Sequence, residues 1–89
     1  MELNRWKNFT KHQQLSAIGA EFMRAEVWQG KNQDNFLSAL ERVLGLIDQT
    51  ILDEKWRSSI LSTLRLREEV AKFYVGERTD DISSLYKVL

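Results

Sequence analysis

Arg5 and His12 are the side chains of this sequence whose types and spacing come nearest to a catalytic pair. Six residues separate the arginine from the histidine, which is the only histidine of the chain. General acid–base catalysis at neutral pH usually employs a histidine or a carboxylate with a shifted pKa. His12 is expected in the capping turn of a helix, exposed to solvent, where the neighbouring Lys11 disfavours its protonation. We therefore predict a solvent-facing role for His12 and assign no catalytic residue.

Four acidic residues raise the question of a metal site inside a helical bundle: Glu21, Glu26, Glu41 and Asp48. Carboxylate-bridged di-iron bundles need two Glu-x-x-His pairs besides two further glutamates, and one histidine cannot supply them. Because the chain has no cysteine, thiolate ligands and disulfides are excluded as well. We predict no metal ligand and no cofactor-binding residue, and we expect these acids to form ion pairs or face solvent.

Several charged residues adjoin the apolar positions of the expected helices. They are Glu21, Arg24, Glu41, Arg42, Arg65 and Arg67. In one arrangement they form a buried network that fixes the register of the helices, and then each must be paired because an isolated buried charge is costly. In the other, which the rarity of buried charges favours, they form an exposed rim around the core.

Charge is distributed unevenly along the chain. Residues 34–54 carry five acids and one arginine, whereas residues 55–78 carry six basic and three acidic side chains. These opposite patches are predicted to meet within one monomer or across a two-fold dimer. Glu68 and Lys72 have the spacing of a favourable helical ion pair. Nucleic acid would bind through the basic strip around Arg65, but a formal net charge of zero argues against such binding.

Three tryptophans are many for a chain of 89 residues. Trp6 lies near the start of the chain, Trp28 just before a glycine, and Trp56 at the start of an expected helix. We expect them at the ends of a bundle, packing on the core rather than forming a ligand cage.

Capping signals predict where the helices that position these residues begin and end. Thr10 and Gln13 have the spacing of a capping box, and Asp53 is suited to cap a later helix. Either Asn32 or Asp34 caps the helix between them. Glycines end two helices, at positions 30 and 76, because glycine adopts the left-handed conformation without a side-chain clash.

Apolar residues recur at helical spacing in three long segments, and no useful alternating run predicts a strand. On the first helix the expected core face is Leu15, Ile18, Phe22 and Ala25, widened by Ala17, Ala20, Met23 and Val27. On the second it is Phe36, Leu40, Val43 and Ile47, with a second row at Leu37, Leu44 and Ile51. On the third it is Ile60, Leu64, Ala71 and Tyr74, extended by Leu61, Val70 and Phe73.

These patterns predict one all-α domain spanning residues 1–89. Its elements are an arm (1–9), three helices (about 10–29, 33–50 and 54–75) and a short tail helix (about 80–88). Short connections make consecutive helices antiparallel neighbours, so the expected fold is an up-down-up three-helix bundle. A homodimer is the expected assembly, because a chain this small covers its core incompletely.

Composition and the absence of long apolar runs bound the class of protein. Hydrophobic residues make up 43% of the chain, too many for a disordered polyelectrolyte. The first residues are charged and lack the apolar segment of a signal peptide, and the richest apolar stretch is too short for a membrane span. The cytoplasm is therefore the expected compartment, with no membrane partner.

The sequence resembles a group of small uncharacterised prokaryotic all-helical proteins over about residues 6–74. The stretches that carry the resemblance are Ile18-Gly-Ala-Glu21, Arg24-Ala25, Trp28, Ala39-Leu-Glu-Arg42, Leu46-Ile-Asp48, Thr50-Ile51 and Leu64-Arg-Leu-Arg-Glu68. The resemblance implies a helical fold and supplies no activity and no site residues. A looser resemblance links the first two helices to the helical hairpin of HEPN domains, whose ribonuclease motif the spacing of Arg5 and His12 also fits.

Two functions remain as hypotheses. The first is a non-enzymatic helical module for protein–protein interaction that associates with itself. The alternative is a small RNA-binding or HEPN-like protein of the toxin–antitoxin type, which would use Arg5, His12 and the strip around Arg65.

Overall fold

The computed structural model describes the backbone of residues 3–86 and the side chains of residues 5–85. Its helices are α1 (Leu3–Lys7), α2 (Lys11–Trp28), α3 (Gln33–Ile51), the 3-10 helix η1 (Glu54–Ser59), α4 (Ile60–Tyr74) and α5 (Ser83–Tyr86). No strand occurs within residues 3–86, which confirms the all-α prediction, and α2, α3 and α4 are the three main helices. None of the helices in this range has the length and apolar character needed to cross a membrane.

The predicted caps are confirmed at both ends of the first long helix. The Thr10 hydroxyl accepts the Gln13 backbone N–H at 3.1 Å, and the Gln13 side chain accepts the Thr10 N–H at 2.9 Å. The α3 cap is Asn32, whose side chain accepts a backbone N–H of the first turn. Gly30 and Gly76 have φ angles of 78° and 83°, the left-handed conformation that ends a helix with least strain.

Helix α3 forms the centre of the core because it packs against both α2 and α4. Its buried side chains are Phe36, Ala39, Leu40, Val43 and Ile47, each at most 4% exposed. A fully buried side chain of this size contributes about 1.5–3 kcal/mol, so the α3 face is a main source of stability. The stripe predicted for this helix is confirmed, with Ala39 as an addition.

The third helix begins differently from its prediction. Asp53 caps it as expected, but residues 54–59 form the tighter 3-10 helix η1 and the α-helix starts only at Ile60. Trp56 is buried within η1. A 3-10 segment has three residues per turn rather than 3.6, so the start of the third helix is wound more tightly than predicted.

The buried face of α4 matches its prediction only in part. Val70 and Phe73 are buried as expected, whereas Leu61 and Leu64 are 79% and 45% exposed. Thr63 is buried on the core side instead. Its hydroxyl donates to the Ser59 carbonyl oxygen at 3.0 Å, so its polar group is satisfied inside the protein.

Helix α2 buries a narrower face than its apolar residues suggest. Ile18, Phe22 and Ala25 lie in the core. Met23 and Val27, predicted to widen this face, are 58% and 54% exposed. The reason is that α2 packs mainly against α3, which covers only one side of it.

The N-terminal arm packs on the body through Trp6, as predicted. Its indole is fully buried, and the ring lies edge-on to Phe9 with centroids 6.0 Å apart. Trp28, by contrast, is 38% exposed near the end of α2.

The tail after α4 closes another part of the core. Ile82 and Leu85 are buried there, although the predicted helix over 80–88 is limited in the described residues to Ser83–Tyr86, and positions 87 and 88 lie outside them. Gln29 at the end of α2 fixes the tail. Its Nε2 donates to the Asp80 carbonyl at 2.7 Å and its Oε1 accepts the Ile82 N–H at 2.8 Å.

Candidate interaction surface

Arg5 and His12 lie on two different helices of the structure. Arg5 lies exposed in α1, and His12 lies exposed in the first turn of α2, beyond the Thr10 cap. Neither side chain forms a hydrogen bond or an ion pair with another described residue.

The charged residues beside α2 and α3 form an exposed rim. The Glu21 carboxylate accepts the Arg42 Nε–H at 2.9 Å and also lies 3.6 Å from the Arg24 guanidinium. The arginine side chains are 48% and 64% exposed, while Glu21 is 16% exposed. Solvent screening of such pairs limits their contribution to about 0–1 kcal/mol each.

A second part of the rim links α3 to α4. The Arg67 Nε–H donates to Asp48 Oδ1 at 2.6 Å, and the Tyr74 hydroxyl donates to Glu41 Oε1 at 2.6 Å. The bond to Asp48 raises the pKa of Arg67, and the bond to Glu41 raises the pKa of Tyr74. Acidic α3 and basic α4 therefore meet within the monomer through at least the Asp48–Arg67 pair.

Lys72 forms an ion pair with a different glutamate from the predicted one. Its Nζ lies 3.3 Å from Glu69, which also lies 3.5 Å from Arg78. Glu68, the predicted partner, lies on the exposed side of α4, and Arg65 is exposed too. Among the described residues no group of three or more His, Asp or Glu side chains is placed to hold a metal ion.

Among the polar residues of positions 5–85, Gln14 has the most buried side chain, and sequence reasoning did not single it out. It is fully buried and donates through Nε2 to the Trp6 carbonyl at 2.8 Å and to Asp53 Oδ2 at 2.9 Å. Its Oε1 accepts the Trp56 indole N–H. The Trp6 indole donates to Thr50 Oγ1 at 3.1 Å. These bonds tie the arm, α2, α3 and η1 together.

Asp53 is the one group of this network that titrates abnormally. Burial raises the pKa of its carboxyl, but hydrogen bonds from the Lys55 side chain, from Gln14 and from the Lys55 backbone lower it more, to about 2. Lys55 Nζ lies 2.8 Å from Oδ2 and also donates to the Lys7 carbonyl at 2.7 Å. A carboxylate with so low a pKa is a weak base.

The hydrogen-bonded side chains of Gln14, Trp6, Thr50, Asp53 and Trp56 (the Gln14 network) therefore have a structural role rather than a reactive one. The Gln14 amide uses both its nitrogen and its oxygen on protein partners, and both Asp53 oxygens accept protein hydrogen bonds. A sequence signal for it did exist. Gln14 precedes Ile18 by four residues and so continues the buried face of α2 at helical spacing.

Two open clefts flank α2. One, of about 480 Å³, runs between α2 and α3 past Ala20 and Gly45. The other, of about 300 Å³, lies between α2 and α4 over Ile47, with Leu15 and Leu66 on its sides. Both are lined mainly by small or apolar side chains. The first also has Glu21 and Arg42 in its lining, and these two side chains form an ion pair with each other.

The exposed side of α4 is the strongest candidate for a functional surface. We define the α4 outer face as Arg57, Leu61, Leu64, Glu68 and Val75. Leu61, Leu64 and Val75 are 79%, 45% and 65% exposed, and both charged residues are exposed beside them. Leu52, which is 63% exposed, extends the apolar surface at the groove between α3 and η1. Apolar side chains grouped on one face are typical of a surface that a partner covers.

No family model, no curated protein and no solved structure matches this chain. No function is therefore transferred to it from another protein, and its own surfaces carry the argument.

Proposed function

We propose that this protein is a non-enzymatic helical interaction module that associates with itself through the α4 outer face. The exposure of Leu61 is the main observation behind the proposal, because Leu61 is the most exposed large apolar side chain among residues 5–85 and has Leu64 beside it. Each leucine that moves from water into an interface contributes about 1.5–3 kcal/mol when fully buried. A second copy of the chain would cover this surface.

The rest of the molecule supports a binding role over a catalytic one. The Gln14 amide and the Asp53 carboxylate are engaged by protein groups, and Glu21 and Asp48 are held in ion pairs. A domain of this size buries only about 60–65% of the surface of its unfolded chain, so further burial by association adds stability.

The proposal includes an up-down-up arrangement of α2, α3 and α4. Residues 29–32 join the first two of these helices and residues 52–53 lead from α3 into η1. Connections this short usually join antiparallel neighbours. In that arrangement α4 lies on one side of α3 and presents its outer face away from the core.

Sedimentation velocity from micromolar to millimolar concentration tests self-association. We expect the wild-type chain to show a concentration-dependent dimer, and Leu61→Ser to weaken it at least about tenfold. Met23→Ser is the matched control, since Met23 is similarly exposed but lies on α2. Circular dichroism checks that both variants stay folded. A wild-type chain that remains monomeric throughout, or equal weakening by both substitutions, would refute the proposal.

A further inference from the structure

The α4 outer face has a pattern that is complementary to itself when the chain direction is reversed. Arg57 precedes Leu61 by four residues, Leu64 follows three residues later, and Glu68 follows after four more. Reversing the order exchanges the two leucines and places glutamate opposite arginine. An isologous two-fold interface requires this property, because residue i of one copy contacts residue j of the other and j contacts i.

The burial pattern indicates that these four residues share one side of the η1–α4 segment. Trp56, Thr63 and Val70 are buried and recur every seven residues, so the core side keeps its register across the junction of η1 and α4. Arg57 and Leu64 are also seven residues apart, and so are Leu61 and Glu68. Both pairs have the same seven-residue spacing as the buried residues, so their members lie together on the exposed side.

The two charged residues are available for contacts with another molecule. Arg57 and Glu68 are exposed, and neither has a side-chain hydrogen bond or an ion pair within residues 5–85. Lys72, which is spaced to pair with Glu68, pairs with Glu69 instead. Arg57 and Glu68 cannot pair with each other in one chain, because eleven helical residues, the first of them in η1, separate them by about 18 Å.

We infer that two copies of this chain pack their α4 helices antiparallel, with Leu61 of each copy against Leu64 of the other and Arg57 of each against Glu68 of the other. This inference rests on the proposed self-association and adds its orientation and the residues that set it. The leucines at the centre supply apolar contact. The two flanking ion pairs select the antiparallel register, since a parallel pair would place like charges together.

The exposed apolar residues of α2 do not offer the same match. Met23 and Val27 are exposed there, but the nearby Arg24 lies beside Glu21 of its own chain. Arg24 and Glu26 stand at mirrored distances between these two residues, but Glu26 also has an interaction within its own chain. The α4 outer face is therefore the better self-complementary surface.

Charge reversal tests the register directly. Arg57→Glu places two glutamates opposite each other at both ends of the two-fold interface, and Glu68→Arg does the same with arginines. We expect each variant alone to self-associate about tenfold more weakly than wild type at low salt. An equimolar mixture of the two restores opposite charges at both contacts, so native mass spectrometry should show the mixed dimer in preference to either homodimer.

The double variant Arg57→Glu/Glu68→Arg provides the second arm. It restores both contacts with the charges exchanged, so its self-association is expected to return to within about threefold of wild type. Glu77→Arg is the control, because Glu77 is exposed and lies beyond α4. It should leave the dimer unchanged.

The possible failures are distinguishable. If the wild type dimerises and Leu61→Ser abolishes the dimer, but neither charge reversal weakens it and the mixture shows no preference, the antiparallel register is wrong and the proposed function stands. If the wild type is monomeric at every concentration, the proposed function and the antiparallel register are both refuted.

Discussion

Loss of the Asp53 charge is expected to destabilise the fold in a pH-dependent way. Asp53 is 5% exposed, and its two oxygens accept from Gln14, the Lys55 backbone and the Lys55 side chain. In Asp53→Asn, one of these acceptor oxygens becomes an NH₂ donor. In one orientation the NH₂ group faces the Lys55 backbone N–H, and in the other it faces the Gln14 and Lys55 side-chain donors. Either way two donors face each other, and a buried polar group is left unsatisfied.

The magnitude follows from the pKa of Asp53. That pKa is lowered from 3.8 to about 2, a difference that corresponds to about 2.4 kcal/mol before solvent screening. Bulk water lies close to every buried group in so small a domain, so we expect about 1–2 kcal/mol. Because the folded-state pKa is the lower one, this stabilisation is present above pH 3.8 and is lost as the pH falls through 2.

Urea unfolding between pH 2 and pH 7, followed by tryptophan fluorescence and circular dichroism, measures this effect. We expect Asp53→Asn to be less stable than wild type by about 1–2 kcal/mol at pH 7 and most of the difference to disappear by pH 2. Glu54→Gln is the matched control, because Glu54 is the exposed acid next to Asp53, and its curve should follow the wild type. Parallel curves for wild type and Asp53→Asn over this range would refute the role given to the carboxylate.

Two further pairs of substitutions test a helix end and the tail by chemical denaturation. Gly76→Ala should lower the free energy of unfolding by about 1–2 kcal/mol, because a side chain is strained at φ 83°. Gly45→Ala, in open space inside α3, should raise it by about 0.5–1 kcal/mol. Equal effects would contradict the view that the positive φ of Gly76 requires a glycine. Ile82→Ala should lower the free energy of unfolding by about 2–4 kcal/mol, because Ile82 is fully buried. Leu61→Ala, measured at low protein concentration, should lower it by less than about 0.5 kcal/mol. An unchanged free energy of unfolding in Ile82→Ala would show that the tail does not complete the core.

The helix ends were predictable because their causes are local. The Thr10 capping box needs only Gln13 three residues later, and Gly30 and Gly76 end helices through their own backbone freedom. The α3 stripe was predictable for a related reason. Its large apolar residues lie on one side at helical spacing, so the core has only one way to use them.

The buried face of α4 was not predictable in the same way, because this helix has apolar residues on two sides. Leu61 and Leu64 offer one face, and Val70 and Phe73 offer another. The core side of α4 uses Thr63 beside Val70 and Phe73, and the Thr63 hydroxyl is satisfied by a backbone carbonyl. A preference for apolar over polar residues counts Thr63 as a surface residue and adds Leu61 and Leu64 to the core.

The Gln14 network depends on contacts between distant parts of the chain. Its bond to Asp53 spans 39 residues, and the bond from Trp6 to Thr50 spans 44. Position 14 continues the core face of α2, but a buried glutamine is expected only when its partners are known. The α4 outer face became visible as a candidate site only once the structure showed which leucines were left outside.

The attachment of the tail to α2 also bears on how the chain folds. The bonds of Gln29 to Asp80 and Ile82 span 51 and 53 residues, so they close a loop larger than half the chain. Closing such a loop has an entropic cost that contacts between neighbouring helices avoid. Pairing of α2 with α3 closes only a short connection, so we expect it to precede the closure of the tail over the core.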